Sequence, residues 1–262
     1  MILTPEQQAI LDGSKGETMA KVMKTLVMYG DTFGADKMVP VTSQHNHLVT
    51  SFGLKMMKPV FELMQQLIDA GAISKQTFSV DPRPLDKNVP ANFLQNFIFN
   101  KIMYPTQEYY EGQLQQLGLM DQDAFTCACY LDQMGNKPGK GDVLSWAESS
   151  AVVYANSVLG ARCNRNSGIM DIMGSIAGYV PNFGLLTDEG RKATWIVKVQ
   201  CTKKPEAQLL GSGAFTGPFL KVMLRPAVRP LRRRLEIFIM FIALQTNQTL
   251  ICSLGQPVII LF

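Results

Sequence analysis

The sequence predicts an α/β fold with mixed sheets and flanking helices, and three observations predict it. Segments with helical spacing of apolar residues alternate with short β-branched runs. Glycines punctuate the ends of most helical segments. A chain of 262 residues, 47% hydrophobic and 18% charged, suffices for one large domain or two small ones and excludes a disordered or fibrous protein.

Thr4-Pro5-Glu6-Gln7 reads as a helix start, with Thr4 as N-cap, Pro5 in the first turn and Gln7 completing a capping box. A second helix is expected from Glu17 to Tyr29, closed by Gly30. Met38 to Thr42 reads as a short buried strand and Ser43 to His47 as a polar turn. Met56, Met57, Val60, Phe61, Met64, Leu67 and Ile68 predict a helix between Gly53 and Ala70, with Gly71 as its C-cap. Thr77 to Pro82 reads as a strand ending in a proline turn, and Ala91 to Leu119 as helical with one break at Pro105. Val143 to Leu159 reads as the clearest helix, capped by Gly160. Ile169 to Ala177 follows as a helix, then a turn from Gly178 to Gly184, and Thr194 to Cys201 as a strand.

Character changes near Gly211. Gly211 to Gly217 is small and flexible in composition, and Arg225, Arg229, Arg232, Arg233 and Arg234 follow it. Residues 1–211 are therefore expected to form the main body and 212–262 a divergent basic and apolar tail. The five arginines account for the positive net charge, so the body is neutral and shows no nucleic-acid-binding surface. The apolar run Leu235 to Leu244 is well short of the roughly 20 residues that span a bilayer, so no membrane crossing is expected. The odd number of cysteines and an N-terminus without signal-peptide character point to a reducing, cytoplasmic location.

Four stretches carry side chains suited to chemistry. Both histidines lie in Ser43-Gln44-His45-Asn46-His47, a turn that reads equally as solvated surface or as part of a site. Asp81-Pro82-Arg83-Pro84-Leu85-Asp86 offers carboxylates and a guanidinium, or else a proline turn that uses its aspartates locally. Thr126-Cys127-Ala128-Cys129 holds two thiols that suit a metal or cluster, or simple burial. On the helix expected over 143–159, Ser145, Ser149 and Asn156 fall within about 40° of one another, with Glu148 beside them. Arg162, Asn164 and Arg165 just beyond it suit an anion, or merely offset the helix dipole.

Ser145-Trp146-Ala147-Glu148-Ser149-Ser150-Ala151-Val152 and Ala155-Asn156-Ser157-Val158-Leu159-Gly160-Ala161-Arg162-Cys163-Asn164-Arg165 resemble the signature of the aconitase X family. The Ser43-Gln44-His45 turn, the stretch from Ser79 to Asp86, Thr126-Cys127 and Gly178 to Gly184 fit the family in the same order, over residues 1 to about 200. The resemblance implies an aconitase-like catalytic domain, incomplete at its C-terminal end, that removes water from a small hydroxy acid. Cis-3-hydroxy-L-proline is the first expectation and mevalonate 5-phosphate a further one. It implies an iron–sulfur cluster as Lewis acid and a small swivelling domain or subunit as partner. Carried over residue by residue, it places Ser43, His45, Glu148, Asn156 and Ser157 as catalytic, Arg162, Asn164, Arg165 and Asp86 on the substrate, and Cys127 on the cluster. Departures from the family pattern fall at His47, Leu48, Asp81, Cys129 and Cys163, and the later part of the large domain is not recognisable. The second reading is accordingly an inactive remnant that retains the fold and acts as a binding protein.

Overall fold

The computed structural model describes residues 1–48, 53–85 and 90–192, and the backbone of four strands beyond them. Helix α1 (Pro5–Leu11) has the expected capping box, in which Thr4 Oγ1 accepts from Gln7 N–H and the Gln7 side chain returns to the Thr4 amide. Helix α2 (Glu17–Thr32) runs past Gly30, so the expected closure there is corrected. Gly30 serves packing instead, since a Cβ at that position would meet the Met1 side chain at 2.3 Å and Pro181 at 2.6 Å. Strand β1 (Met38–Pro40) pairs antiparallel with β4 (Tyr179–Pro181). Strand β2 (Asn46–Leu48) pairs parallel with β3 (Phe78–Val80).

Helix α3 (Lys58–Asp69) ends at Gly71, whose positive φ of 67° suits a residue without Cβ. Helix α4 (Phe93–Phe97) passes into wider turns over Ile98–Met103, and α5 (Gln107–Leu117) resumes beyond Pro105. Helix α6 begins only at Ser149 and runs to Tyr154, followed by a π-turn over Ala155–Leu159 and Gly160 in the left-handed conformation. The helix expected from Val143 is therefore corrected. Val143 to Ala147 is extended, bridged in parallel to Arg162 at Val143 and to His47 at Trp146. Leu144, Ser145 and Trp146 are buried, and an extended segment covered on both faces shows an apolar run that spacing alone does not separate from a helix. Helix α7 (Gly168–Ala177) follows, capped by Ser167.

The main core joins Ile10, Val22, Met23 and Leu26 to Phe61, Met64, Leu67, Phe78, Leu114, Leu117, Ile172 and Ile176. A second core holds Cys129, Leu144, Trp146, Ala151, Val152, Ala155, Ala161 and Cys163. Each large side chain so buried contributes about 1.5–3 kcal/mol relative to exposure. Beyond residue 192, strands β5 (Trp195–Gln200), β6 (Lys221–Pro226), β7 (Gln248–Ser253) and β8 (Gln256–Leu261) form one mixed sheet in the order β6-β5-β8-β7. The architecture is thus helical with small parallel, antiparallel and mixed sheets, as the composition of alternating segments predicts. Asp86, the cluster Arg229 to Arg234 and the apolar run Leu235 to Leu244 lie outside the described residues.

Candidate functional site

Parallel bridges extend the β2–β3 pair on both sides. Trp146 joins His47, Arg162 joins Val143, Leu119 joins Phe78 and Phe125 joins Val80. The result is an array of parallel extended segments, and side chains just beyond the C-terminal ends of such segments converge on one edge. Asp81 follows β3, Cys127 follows the Phe125 bridge, and Glu148 follows the Trp146 bridge. These three meet. Cys127 is exposed, and partial burial together with the Asp81 and Glu148 carboxylates pushes its thiol above the ordinary range. Glu148 is the N-cap of α6, its Oε1 accepting from Ser150 N–H at 3.1 Å and from Ser150 Oγ–H at 2.7 Å.

Beneath this edge lies a buried polar network. His47 is fully buried, with Nδ1 2.9 Å from Ser79 Oγ and the ring edge-on to Trp146. Asn136 donates to Asn46 O at 2.8 Å and to Ser79 Oγ at 3.0 Å. His47 Nε2 faces Asp81 Oδ1 at 3.7 Å, and both atoms are buried without a hydrogen-bond partner among the described residues. Each such orphan costs on the order of 1–3 kcal/mol, which makes the pair conspicuous. The family resemblance drew attention to His45. The parallel register that sets His47 against Ser79 is tertiary information.

Ser43 and His45 stand at the other, N-terminal, edge of the array. Ser43 Oγ donates to Asn46 Oδ1, and its backbone N–H reaches Val143 O. His45 Nδ1 is 2.7 Å from Thr77 Oγ1, and burial holds its basicity below the ordinary imidazole value. The structure therefore does not bring these two into the Asp81–Cys127–Glu148 group.

The residues after α6 are held by backbone. Asn156 donates through Nδ2 to Val152 O and Cys163 O, both at 2.9 Å, and accepts at Oδ1 from Cys163 N–H and from Arg191. Arg162 donates to Leu186 O and pairs with Asp188. Asn164 donates to Phe183 O and accepts from Leu185 N–H. Ser157 Oγ is buried with no hydrogen-bond partner among the described residues, and Arg165 is exposed. A fully buried carboxyl also escaped the sequence reading. Asp171 accepts at Oδ1 from Ser145 Oγ–H and Asn166 Nδ2, and burial raises it to about 8. An acid inside an amphipathic helical run gives no outward sign of such burial.

An iron–sulfur cluster needs several thiolates at one point. Cys129 and Cys163 are buried, and burial drives both thiols well up. Among the described residues no group of three His, Cys, Asp or Glu side chains converges on a metal-sized point. These residues alone do not fit a cluster, and Cys127 is the single exposed thiol among them. No helix among the described residues is long and apolar enough to cross a membrane.

Comparison with known proteins shows which family the chain resembles. The chain is 33% identical over 225 residues to the phosphomevalonate dehydratase large subunit of Thermococcus kodakarensis, covering 84% of this chain and 52% of that protein. It is 29% identical over 199 residues to the cis-3-hydroxy-L-proline dehydratase of Pseudomonas aeruginosa, covering 74% of this chain and 31% of that one. The crystal structure of Thermococcus kodakaraensis aconitase X in its holo-form superposes with a TM-score of 0.65 at 31% identity, over 80% of this chain and 50% of that one. The chain thus spans about half the length of the phosphomevalonate dehydratase large subunits it matches. The family model for the aconitase X first domain matches residues 1–189, and with the fold and the shared edge of the array in view, the chain belongs to the aconitase X family.

Proposed function

We propose that the chain is the aconitase-X-type part of a hydro-lyase that removes water from a small hydroxy acid. The observation that carries this reading is that the Glu148 and Asp81 carboxylates both act on the exposed Cys127 thiol at one edge of a parallel array in a chain of this family. Dehydration requires a group to hold the departing hydroxyl and a group to manage its proton. Glu148 has one carboxylate oxygen fixed by its own helix turn, and its charge acts on the Cys127 thiol. Cys127 is the proposed thiolate contribution to an iron–sulfur centre, which in this family resemblance supplies Lewis acidity. Ser43, His45, Asn156, Ser157, Arg162, Asn164 and Arg165 remain proposed site residues. On their placement, Asn156, Arg162 and Asn164 act by holding the loop after α6.

Cis-3-hydroxy-L-proline is the first substrate to assay. Mevalonate 5-phosphate is the second, favoured by the 33% identity to large subunits named for it. Those names support a small subunit as partner, and the proposed location is the cytoplasm. The test is anaerobic reconstitution of the full chain, with and without a small-subunit partner. Bound iron and sulfide that are lost in Cys127→Ser, together with dehydration of either substrate, support the reading. A chain that binds no iron under any reconstitution is the inactive remnant. The division at residues 211 and 212 is likewise a proposal, and the four-stranded sheet takes one strand from before it and three from after. Limited proteolysis should cut first within Gly211 to Gly217 and leave a stable N-terminal fragment.

A further inference from the structure

The hydrogen bonds around His47 fix which of its nitrogens carries the proton. Asn136 Nδ2 contacts a backbone carbonyl, Asn46 O, so this end of the amide is the donor. The same nitrogen therefore donates to Ser79 Oγ as well. With Ser79 Oγ accepting from Asn136, its hydroxyl proton is free to point to His47 Nδ1 at 2.9 Å. Nε2 faces a carboxylate oxygen, Asp81 Oδ1, at 3.7 Å, and an acceptor there places the imidazole proton on Nε2 and leaves Nδ1 to accept from Ser79. That separation exceeds a formed hydrogen bond, as is common where a contact tightens only when ligand is present. Asp81 is the end of the network nearest the surface, its side chain 16% exposed against 0% for His47, and it is one of the two carboxylates that Cys127 senses.

We propose that His47 is a positioning residue. Its Nε2–H holds the buried oxygen of Asp81 and so presents that carboxyl to a hydroxyl of the ligand bound on the Cys127 side. The inference rests on the hydro-lyase reading for the identity of the ligand, but not for the geometry. The chain Asn136 to Ser79 to His47 to Asp81 delivers one defined donor to one defined acceptor. It explains why two adjoining buried polar atoms that face each other are left without partners.

Two measurements on the full chain test it. With only two histidines present, nitrogen-15 spectra of the imidazoles resolve the tautomer of each once His45→Asn identifies the second set. The expected result is the Nε2–H tautomer for His47, with signals that move in Asp81→Asn while those of His45 stay. An Nδ1–H tautomer, or indifference to Asp81→Asn, overturns the proposal whether or not the chain is a dehydratase. The second measurement separates positioning from packing. His47→Gln keeps an N–H where Nε2 lies, whereas His47→Asn keeps only the Nδ1 side. In the reconstituted dehydration, His47→Gln should retain kcat within about tenfold, and His47→Asn should lose about a hundredfold in kcat with KM little changed. Equal loss in the two variants makes His47 a packing residue and overturns the proposal. Absence of dehydration in the wild type overturns the function, while the spectra still decide the geometry.

Discussion

The loop after α6 and the network under β3 both bury polar side chains among apolar ones, yet they satisfy them differently. Around Asn156, the amide's donor and acceptor atoms both have partners, the Arg162 guanidinium is engaged, and Asn164 is bonded at both ends. Around His47, two atoms that face each other have none. A saturated group has its energy invested in holding backbone, so its removal shows in stability. An unsatisfied pair that abuts the surface is where a ligand or a water completes the bonding.

The sharpest way to break that contrast is Asn156→Ala. It leaves Val152 O, Cys163 O and Cys163 N–H without their partner inside the second core, and the expected loss is about 2–4 kcal/mol by urea unfolding. A loss under about 1 kcal/mol would mean that Arg191 and water rebuild the loop. The next effect comes from Asp171, which joins α7 to the extended segment at Ser145 and has Asn166 and the Cys163 thiol as neighbours. Its folded-state value, about 8, lies above its unfolded one. The stability this group contributes is therefore complete below about pH 4 and is lost as pH rises toward about 8, with a slope of up to about 1.4 kcal/mol per pH unit. Asp171→Asn should remove that slope, and unfolding curves of the two proteins from pH 5 to 9, as a pH series, check it. A slope unchanged in the variant would assign the decline to another group. The smallest effect separates the two roles within one residue. Glu148→Ala should cost about 1 kcal/mol through the lost cap, whereas Glu148→Gln keeps an acceptor for Ser150 and should cost only a few tenths. Both should quicken alkylation of Cys127 about twofold, since removing the neighbouring negative charge eases formation of the thiolate.

The elements written in local chemistry were legible. Thr4 and Gln7 announce their capping box, and Gly71 and Gly178 mark the ends of α3 and α7. The resemblance singled out Cys127 and Glu148, and the Glu148 charge acts on the Cys127 thiol. The extended course of Val143 to Ala147 was not legible, because burial on both sides erases the alternation that marks a strand. His47 was passed over in favour of His45 for a related reason. The two differ by which strand lies alongside, and that is settled by Phe78 to Val80, some thirty residues on. Gly30 misled in the opposite sense, since a glycine chosen for close approach of Met1 and Pro181 looks in sequence like one chosen for a turn.

The parallel array has a consequence in time. Its members are joined between residues far apart in the chain, His47 to Trp146 most of all. Contacts between distant residues form slowly, because the chain between them must be ordered before the contact rewards it. During synthesis α1, α2 and α3 are complete long before Trp146 emerges, so Asp81 and Cys127 wait without Glu148 beside them. Refolding should then regain helical signal in far-ultraviolet circular dichroism ahead of the near-ultraviolet signal of Trp146 locked against His47. The edge that carries the carboxylates and the thiol is completed only after the helices that frame it.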